Sequence, residues 1–147
     1  YVTEFFRGVE TERSVGERAP DHRLESDGDP TAEVAYPVAD DQTVRYAAAS
    51  GDDFAIHLDD EFARKVGLPG RIVHGLCTMA FAGRAVLEVA GVDDPRTVRR
   101  LAVRFSAPLF PGDTVTTRIW RVDGGFGFDA LGGDGKAVIK DGRAELR

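Results

Sequence analysis

The chain has 147 residues, 42% of them apolar, with a formal net charge of -6 and a single cysteine, Cys77. That length suits one compact domain with a real core, and the composition is globular rather than disordered. The acidic balance argues against a nucleic-acid or anionic-membrane partner, and one cysteine excludes an internal disulfide framework or a cysteine-built metal cluster.

Cys77 itself reads as a small buried hydrophobe. The first residues show no basic segment followed by an apolar core, so no signal peptide is read. The longest apolar stretch, residues 72–90, carries His74, Arg84 and Glu88 and reads as a core helix rather than a membrane span. A cytoplasmic enzyme or binding domain is the expectation. The chain begins at Tyr1, which points to processing or to a piece of a longer protein.

Residues 1–8, with Phe5 and Phe6, are too apolar for a free tail and read as the end of an upstream strand or a docking segment. Residues 9–31 carry many charges with Gly16, Pro20, Gly28 and Pro30, and read as an irregular linker that includes a solvated His22. The expected organisation is an N-terminal arm or linker over 1–32 and one domain over 33–147. Residues 33–38 alternate, with Val34, Tyr36 and Val38 on one face, which predicts a short strand that Pro37 confines to an edge or an end. Asp40 or Asp41 then caps a helix over 43–49, and Gly51 stops it. Asp59 is placed to cap a second short helix over 60–66, ended by Gly67 and a Pro69-Gly70 turn. The long helix over about 74–89 is apolar nearly all round and should be buried on most sides. Its small residues, Ala80, Ala82, Gly83 and Ala85, allow close approach, and Arg84 and Glu88 are spaced to pair.

After Pro95 the period changes to two. Strands are predicted over 98–105, 113–122, 126–131 and 136–146, with Gly142 marking a bulge. The short turns predict an antiparallel meander. The fold class is α+β, a sheet of about five strands wrapped around one helix.

Asp52 and His57 are five residues apart. Neither a helix nor a strand puts both on one face at that spacing, so only a loop can join them, and Gly51 permits one. A carboxylate and an imidazole gripping one water make a general acid–base pair. On spacing alone a plainer reading ranks first, with Asp52 capping a turn and His57 a buried structural histidine. His74-Gly75 opens the long helix, where backbone N–H groups have no intrahelical partner. Glycine there lets a ligand carbonyl approach and be polarised by the positive helix end, as enolate-forming chemistry needs. A tight packing contact at Gly75 is the other reading. His74 either lines the site or holds the loop by a side-chain hydrogen bond, and the second role is preferred.

Three stretches carry a resemblance. They are Tyr46-Ala-Ala-Ala-Ser-Gly-Asp-Asp-Phe-Ala-Ile-His57-Leu-Asp59 with Ala63 and Gly67, Ile72-Val-His-Gly-Leu76, and Arg104-Phe-Ser-Ala-Pro-Leu-Phe-Pro-Gly-Asp113. Over about residues 33–147 the chain resembles the MaoC-like R-specific enoyl-CoA hydratases. The resemblance implies the hotdog fold, a long central helix wrapped by a curved antiparallel sheet. It implies syn hydration of a trans-2-enoyl thioester of CoA or an acyl carrier protein to the R-3-hydroxyacyl thioester, or the reverse dehydration. No metal or redox cofactor is implied. On the family pattern Asp52 and His57 hold and activate the water, the Gly75 N–H polarises the thioester carbonyl, and Tyr46, Phe54 and His74 fall on the substrate-binding side.

One departure stands inside the motif. The family usually carries Asn-Pro before the apolar residue and the histidine, and here Phe54-Ala55 replaces it. Loss of the Asn removes a polar group, loss of the Pro loosens the loop, and Phe54 is expected to narrow or redirect the acyl pocket. Phe5-Phe-Arg-Gly8 and the charged linker resemble the junction between halves of two-hotdog hydratases, which would make this chain the catalytic second half. A homodimer of single hotdogs is the alternative, and either pairing covers an exposed sheet edge. The rival functions are a hotdog thioesterase and a non-catalytic partner subunit that binds acyl thioesters, for which Phe54-Ala55 is the support.

Overall fold

The computed structural model describes residues 28–147 and, ahead of them, Glu10, Arg13, Val15, Gly16, Arg23 and Leu24. The strand end expected in residues 1–8 and the solvated His22 lie outside the described residues.

The alternation at residues 33–38 gives a strand, β1 (Ala32–Pro37), with half-buried and exposed side chains in turn. Three short helices follow: α1 (Gln42–Ser50), α2 (Ala55–Leu58) and α3 (Asp60–Lys65). The long helix is α4 (Gly75–Ala90), and a 3-10 turn (Pro95–Thr97) leads into β2 (Val98–Phe105), β3 (Thr114–Val122), β4 (Gly125–Leu131) and β5 (Ala137–Leu146). One cap is as expected: Asp59 accepts from the Glu61 and Phe62 N–H groups at 2.7 and 3.0 Å at the start of α3. The other is not. Asp41 stands at the N-terminal end of α1, but its side chain makes no capping bond.

The strands form one antiparallel sheet in the order β1-β3-β4-β5-β2. The meander expectation holds for β3, β4 and β5 and fails for β2, which pairs with β5 from Val98 opposite Leu146 to Phe105 opposite Ile139. The connection over residues 106–113 contains Pro108 and Pro111, so it cannot close a tight hairpin. It crosses the helix side of the sheet instead. At its far end the Val38 N–H donates to Asp113 O at 2.8 Å and the Gly112 N–H to Val38 O at 3.0 Å. Between Ala102 and Arg104 of β2, strand β5 runs from Arg143 to Lys140, one residue more. The bulge therefore sits at Asp141-Gly142, as read, with Asp141 at a positive φ of 52°.

The core lies between α4 and the inward faces of β3, β4 and β5, where Val86, Val115, Ile119, Phe128 and Ile139 are fully buried. The expectation that α4 is buried on most sides holds except along one stripe. Cys77, Thr78, Ala82, Gly83, Ala85 and Val86 are buried, while Leu76, Ala80, Arg84 and Glu88 form an exposed stripe. Arg84 and Glu88 engage Tyr36 rather than each other. Glu88 accepts from the Tyr36 hydroxyl at 2.6 Å, and the Arg84 guanidinium lies 4.8 Å from the Tyr36 ring centre. The linker reading is also modified. Leu24 N–H donates to Asp141 Oδ1 at 3.3 Å, Trp120 Nε1–H to Gly28 O at 3.1 Å, and Arg121 N–H to Thr31 Oγ1 at 3.3 Å. Trp120 points away from α4, opposite in parity to Ile119, so these contacts tie the segment to the outer face of the sheet. Among the described residues no helix is long and apolar enough to cross a membrane.

Candidate active site

The site grows from the turn between α1 and α2. Gly51 ends α1 at a φ of 77°, a left-handed conformation that glycine adopts freely. Ser50 Oγ then accepts from the Asp52 N–H at 3.2 Å, and Asp52 Oδ1 accepts from the Phe54 N–H at 3.4 Å. Asp52 thus folds its own turn, a habit of short polar side chains. The turn launches α2, a single helical turn that carries His57. The expectation of a simple loop from Asp52 to His57 is corrected: a capped turn and a short helix bring them together.

His57 is 8% exposed and held on two sides. Its Nδ1 lies 2.8 Å from the Ile72 carbonyl oxygen. A carbonyl only accepts, so Nδ1 carries the proton and Nε2 keeps its lone pair. His74 stacks on its face, with ring centres 3.8 Å apart and planes inclined by 23°. His74 is 1% exposed, and its Nε2–H donates to the Asp52 carbonyl oxygen at 3.0 Å. Its Nδ1 is buried without a hydrogen-bond partner among the described residues. The Tyr46 ring backs His74 at 4.8 Å.

Burial pushes the His57 imidazole below its ordinary 6.5; the Ile72 carbonyl opposes this, His74 adds to it, and the Asp52 carboxylate opposes it. The net result is a neutral base near pH 7. Burial raises the Tyr46 hydroxyl, with Cys77 and Asp52 adding to the effect, so it stays a neutral phenol.

Nitrogen and oxygen atoms of Asp52, His57 and His74 lie within 4.8 Å of one another, a spacing that metal ligands also show. Here His57 Nδ1 and His74 Nε2 are engaged with carbonyls and His74 Nδ1 is buried. That leaves the exposed Asp52 carboxylate and His57 Nε2, a pair suited to gripping one water rather than a cation.

His57 and Gly75 share a cavity of about 310 Å³, walled by Ile72, Thr78, Phe105 and the crossing segment 106–109. Gly75 is the first residue of α4, so its N–H has no intrahelical acceptor. A Cβ on it would stand 3.3 Å from the tip of the Phe105 ring. Asp52, His57, His74 and Tyr46 therefore come together, and Gly75 joins them through the cavity. Phe54 does not. It is 56% exposed, packs edge-on against Phe62 at 6.1 Å, and is absent from the cavity wall. Missing from the sequence reading as wall residues are Leu68, Thr78, Phe105, residues 106–109 and Val138. Of these, Phe105 and residues 106–109 fall in the 104–113 stretch that carries the resemblance, but nothing in the sequence marked them as a wall of the site.

The chain is similar to known proteins. Residues 23–139 match the family model described as MaoC like domain. The chain is 36% identical over 147 aligned residues, 95% of its length, to 3-hydroxyacyl-thioester dehydratase Y of Mycobacterium tuberculosis, and covers 48% of that protein. It is 33% identical over 111 residues, 74% of its length, to the probable enoyl-CoA hydratase 2 of Dictyostelium discoideum, covering 38% of it. The solved MaoC-like dehydratase from Phytophthora capsici superposes with a TM-score of 0.89 at 30% identity, over 96% of this chain and 50% of that one. The chain thus spans half the length of these relatives or less. Its five-stranded sheet around one helix is the hotdog fold, and the chain belongs to the family of MaoC-like domains.

Proposed function

We propose that this chain is the catalytic hotdog unit of an R-specific enoyl thioester hydratase. It adds water to a trans-2-enoyl thioester to give the R-3-hydroxyacyl thioester, or runs the reverse dehydration. The observation that carries the reading is the neutral His57, with Nδ1 carrying the proton, which lines a cavity with Gly75 and stands within 4.8 Å of the Asp52 carboxylate. The names of the two protein relatives support the same chemistry.

In this reading the water sits between Asp52 and His57 Nε2. The thioester carbonyl meets the Gly75 N–H at the positive end of α4, which draws electron density to oxygen as C3 is attacked. One of the two side chains takes a proton from the water while its oxygen bonds to C3. The proton is returned to C2 on the same face, so addition is syn. The chemistry uses only these groups and water.

Residues 33–147 are the acting unit and residues 1–32 an N-terminal arm. The outer strands β1 and β2 leave edges for a second hotdog, another copy or a different chain. CoA or a carrier protein presents the thioester. A reducing, cytoplasmic setting suits the free, buried Cys77.

The test is hydration of crotonyl-CoA, followed at the enoyl absorbance band. Asp52→Asn and His57→Ala should each lower turnover by about 10²–10⁴-fold with the fold intact. Parent-like turnover in both variants would sink the mechanism. The cavity wall at the start of α4 offers Gly75 and Thr78 but no carboxylate. Release of free CoA thiol from the substrate would nonetheless point to a thioesterase.

A further inference from the structure

Packing alone does not explain a histidine at position 74. One of its nitrogens is buried without a partner among the described residues, a state that proteins generally avoid. An apolar side chain of similar size would fill the same space without a bare nitrogen. The rest of the imidazole touches both residues of the water-holding pair, the Asp52 backbone carbonyl and the His57 ring.

We propose that His74 is a positioning residue that sets the separation of the Asp52 carboxylate from His57 Nε2. It acts through its Nε2–H bond to the Asp52 carbonyl and its stack on the His57 ring. The inference rests on the reading of Asp52 and His57 as the pair that holds the water.

Asp52 sits on an exposed turn whose own bonds are long, 3.2 and 3.4 Å. The His74 bond is shorter, at 3.0 Å, and ties that turn to a residue 22 positions away. His57 is fixed from the same extended segment. Ile72 O takes its Nδ1–H, and two residues later the His74 ring covers its face. The Ile72 N–H also donates to Ile56 O at 3.1 Å, which locks the segment to α2. Thr78 Oγ1–H donates to the His74 carbonyl at 3.2 Å, and Tyr46 backs the ring. Residues 72–75 thus register three groups against one another: the His57 ring, the Asp52 turn and the Gly75 N–H. His74 touches no reacting atom in this scheme, since one nitrogen is engaged with a carbonyl and the other is buried.

His74→Met and His74→Gln separate positioning from packing. Both lose the ring and are close to histidine in size. Only Gln keeps an N–H near the position of Nε2. The Met variant should lose about 100-fold in kcat with KM nearly unchanged, the effect of a displacement of order 1 Å. Gln should recover most of that loss, while the two melt at similar temperatures because Asp52 lies on an exposed turn. A merely structural role would lower both melts and both rates together.

A second readout needs no turnover. The ionisable groups facing His57 are Asp52 and His74, and the Asp52 carboxylate supports the imidazolium. By ¹⁵N NMR the His57 titration midpoint should therefore lie lower in the Met variant than in the Gln variant. In the parent chain the same spectra should show His74 protonated at Nε2. Parent-like kcat in the Met variant, equal midpoints in the two variants, or a His74 proton on Nδ1 would each overturn the proposal. If Asp52→Asn hydrates crotonyl-CoA as well as the parent, the water-holding reading falls, and the NMR comparison still judges the positioning.

Discussion

Burial decides what His57 can do, and its consequences share one sign. The imidazole is pushed below 6.5 chiefly by desolvation of its charged form. The neutral base therefore persists below the pH at which a free imidazole is half protonated, and the acid limb of kcat/KM should fall below pH 6.5. Stability follows the same shift. The unfolded chain binds the proton more readily than the folded one, so this contribution is present above 6.5 and lost as pH falls through the depressed folded value. Urea denaturation at about pH 7 and about pH 5 should show the parent losing stability and His57→Gln losing less. Gly75 can be tested by a methyl group. Its backbone is not left-handed and alanine favours a helix, so Gly75→Ala should melt at or above the parent temperature. The new Cβ meets Phe105 at 3.3 Å and projects into the carbonyl's approach, so kcat/KM should fall about 100-fold. A folded variant with parental kcat/KM would remove the Gly75 N–H from the mechanism. At this scale the candidates were legible only through the family resemblance, since on spacing alone the plainer reading of Asp52 and His57 ranked first. Side-chain direction was not: Phe54 sits in the motif yet turns onto Phe62, because a turn residue's orientation depends on neighbours that the motif does not name.

The elements were legible where the signal is local. Alternation marked all five strands, and the Asp59 cap and Gly51 stop fell where they were read. Two features escaped for a physical reason. The single turn of α2 is too short for periodicity and depends on the Asp52 turn ahead of it. The pairing of β2 with β5 is a contact between the first and last strands after α4, and alternation specifies a strand's faces but not its neighbour. That pairing matters to the site, because it forces residues 106–113 across the sheet and makes residues 106–109 a wall of the cavity. The bulge that adjusts the pairing can be tested separately. A Cβ on Gly142 would lie 2.5 Å from both the Phe128 ring and the Phe128 carbonyl oxygen, so backbone as well as side chain must shift. Gly142→Ala should cost about 1–3 kcal/mol, read as a lower urea midpoint, with turnover per folded molecule preserved. A wild-type midpoint would show that β4 and β5 yield there more easily than their packing indicates.

At the scale of the whole molecule, two large apolar side chains stand exposed beside the site. Leu76, in the first turn of α4, is 64% exposed, and Phe105, whose ring faces Gly75, is 49% exposed. The two flank the N–H assigned to the thioester carbonyl, and β2, which carries Phe105, has one unpaired edge. The relatives are about twice as long as this chain or longer. A second hotdog placed here would cover the apolar residues and add to the wall of the cavity, so association and catalysis should be lost together. Leu76→Asp separates this from a folding defect, because the exposed Leu76 side chain contributes little to the chain's own core. Burying leucine at an interface contributes about 1.5–3 kcal/mol, and a buried carboxylate reverses the sign. Each 1.4 kcal/mol is about tenfold in the dissociation constant, so the substitution should weaken pairing by 100-fold or more. Light scattering after size exclusion should give the parent at about twice its 15.9 kDa and Leu76→Asp at the single mass. The variant should keep its melting temperature at the single-chain level and lose most of its hydration activity. A variant that still pairs and still turns over would place the second hotdog on a different face, away from the start of α4.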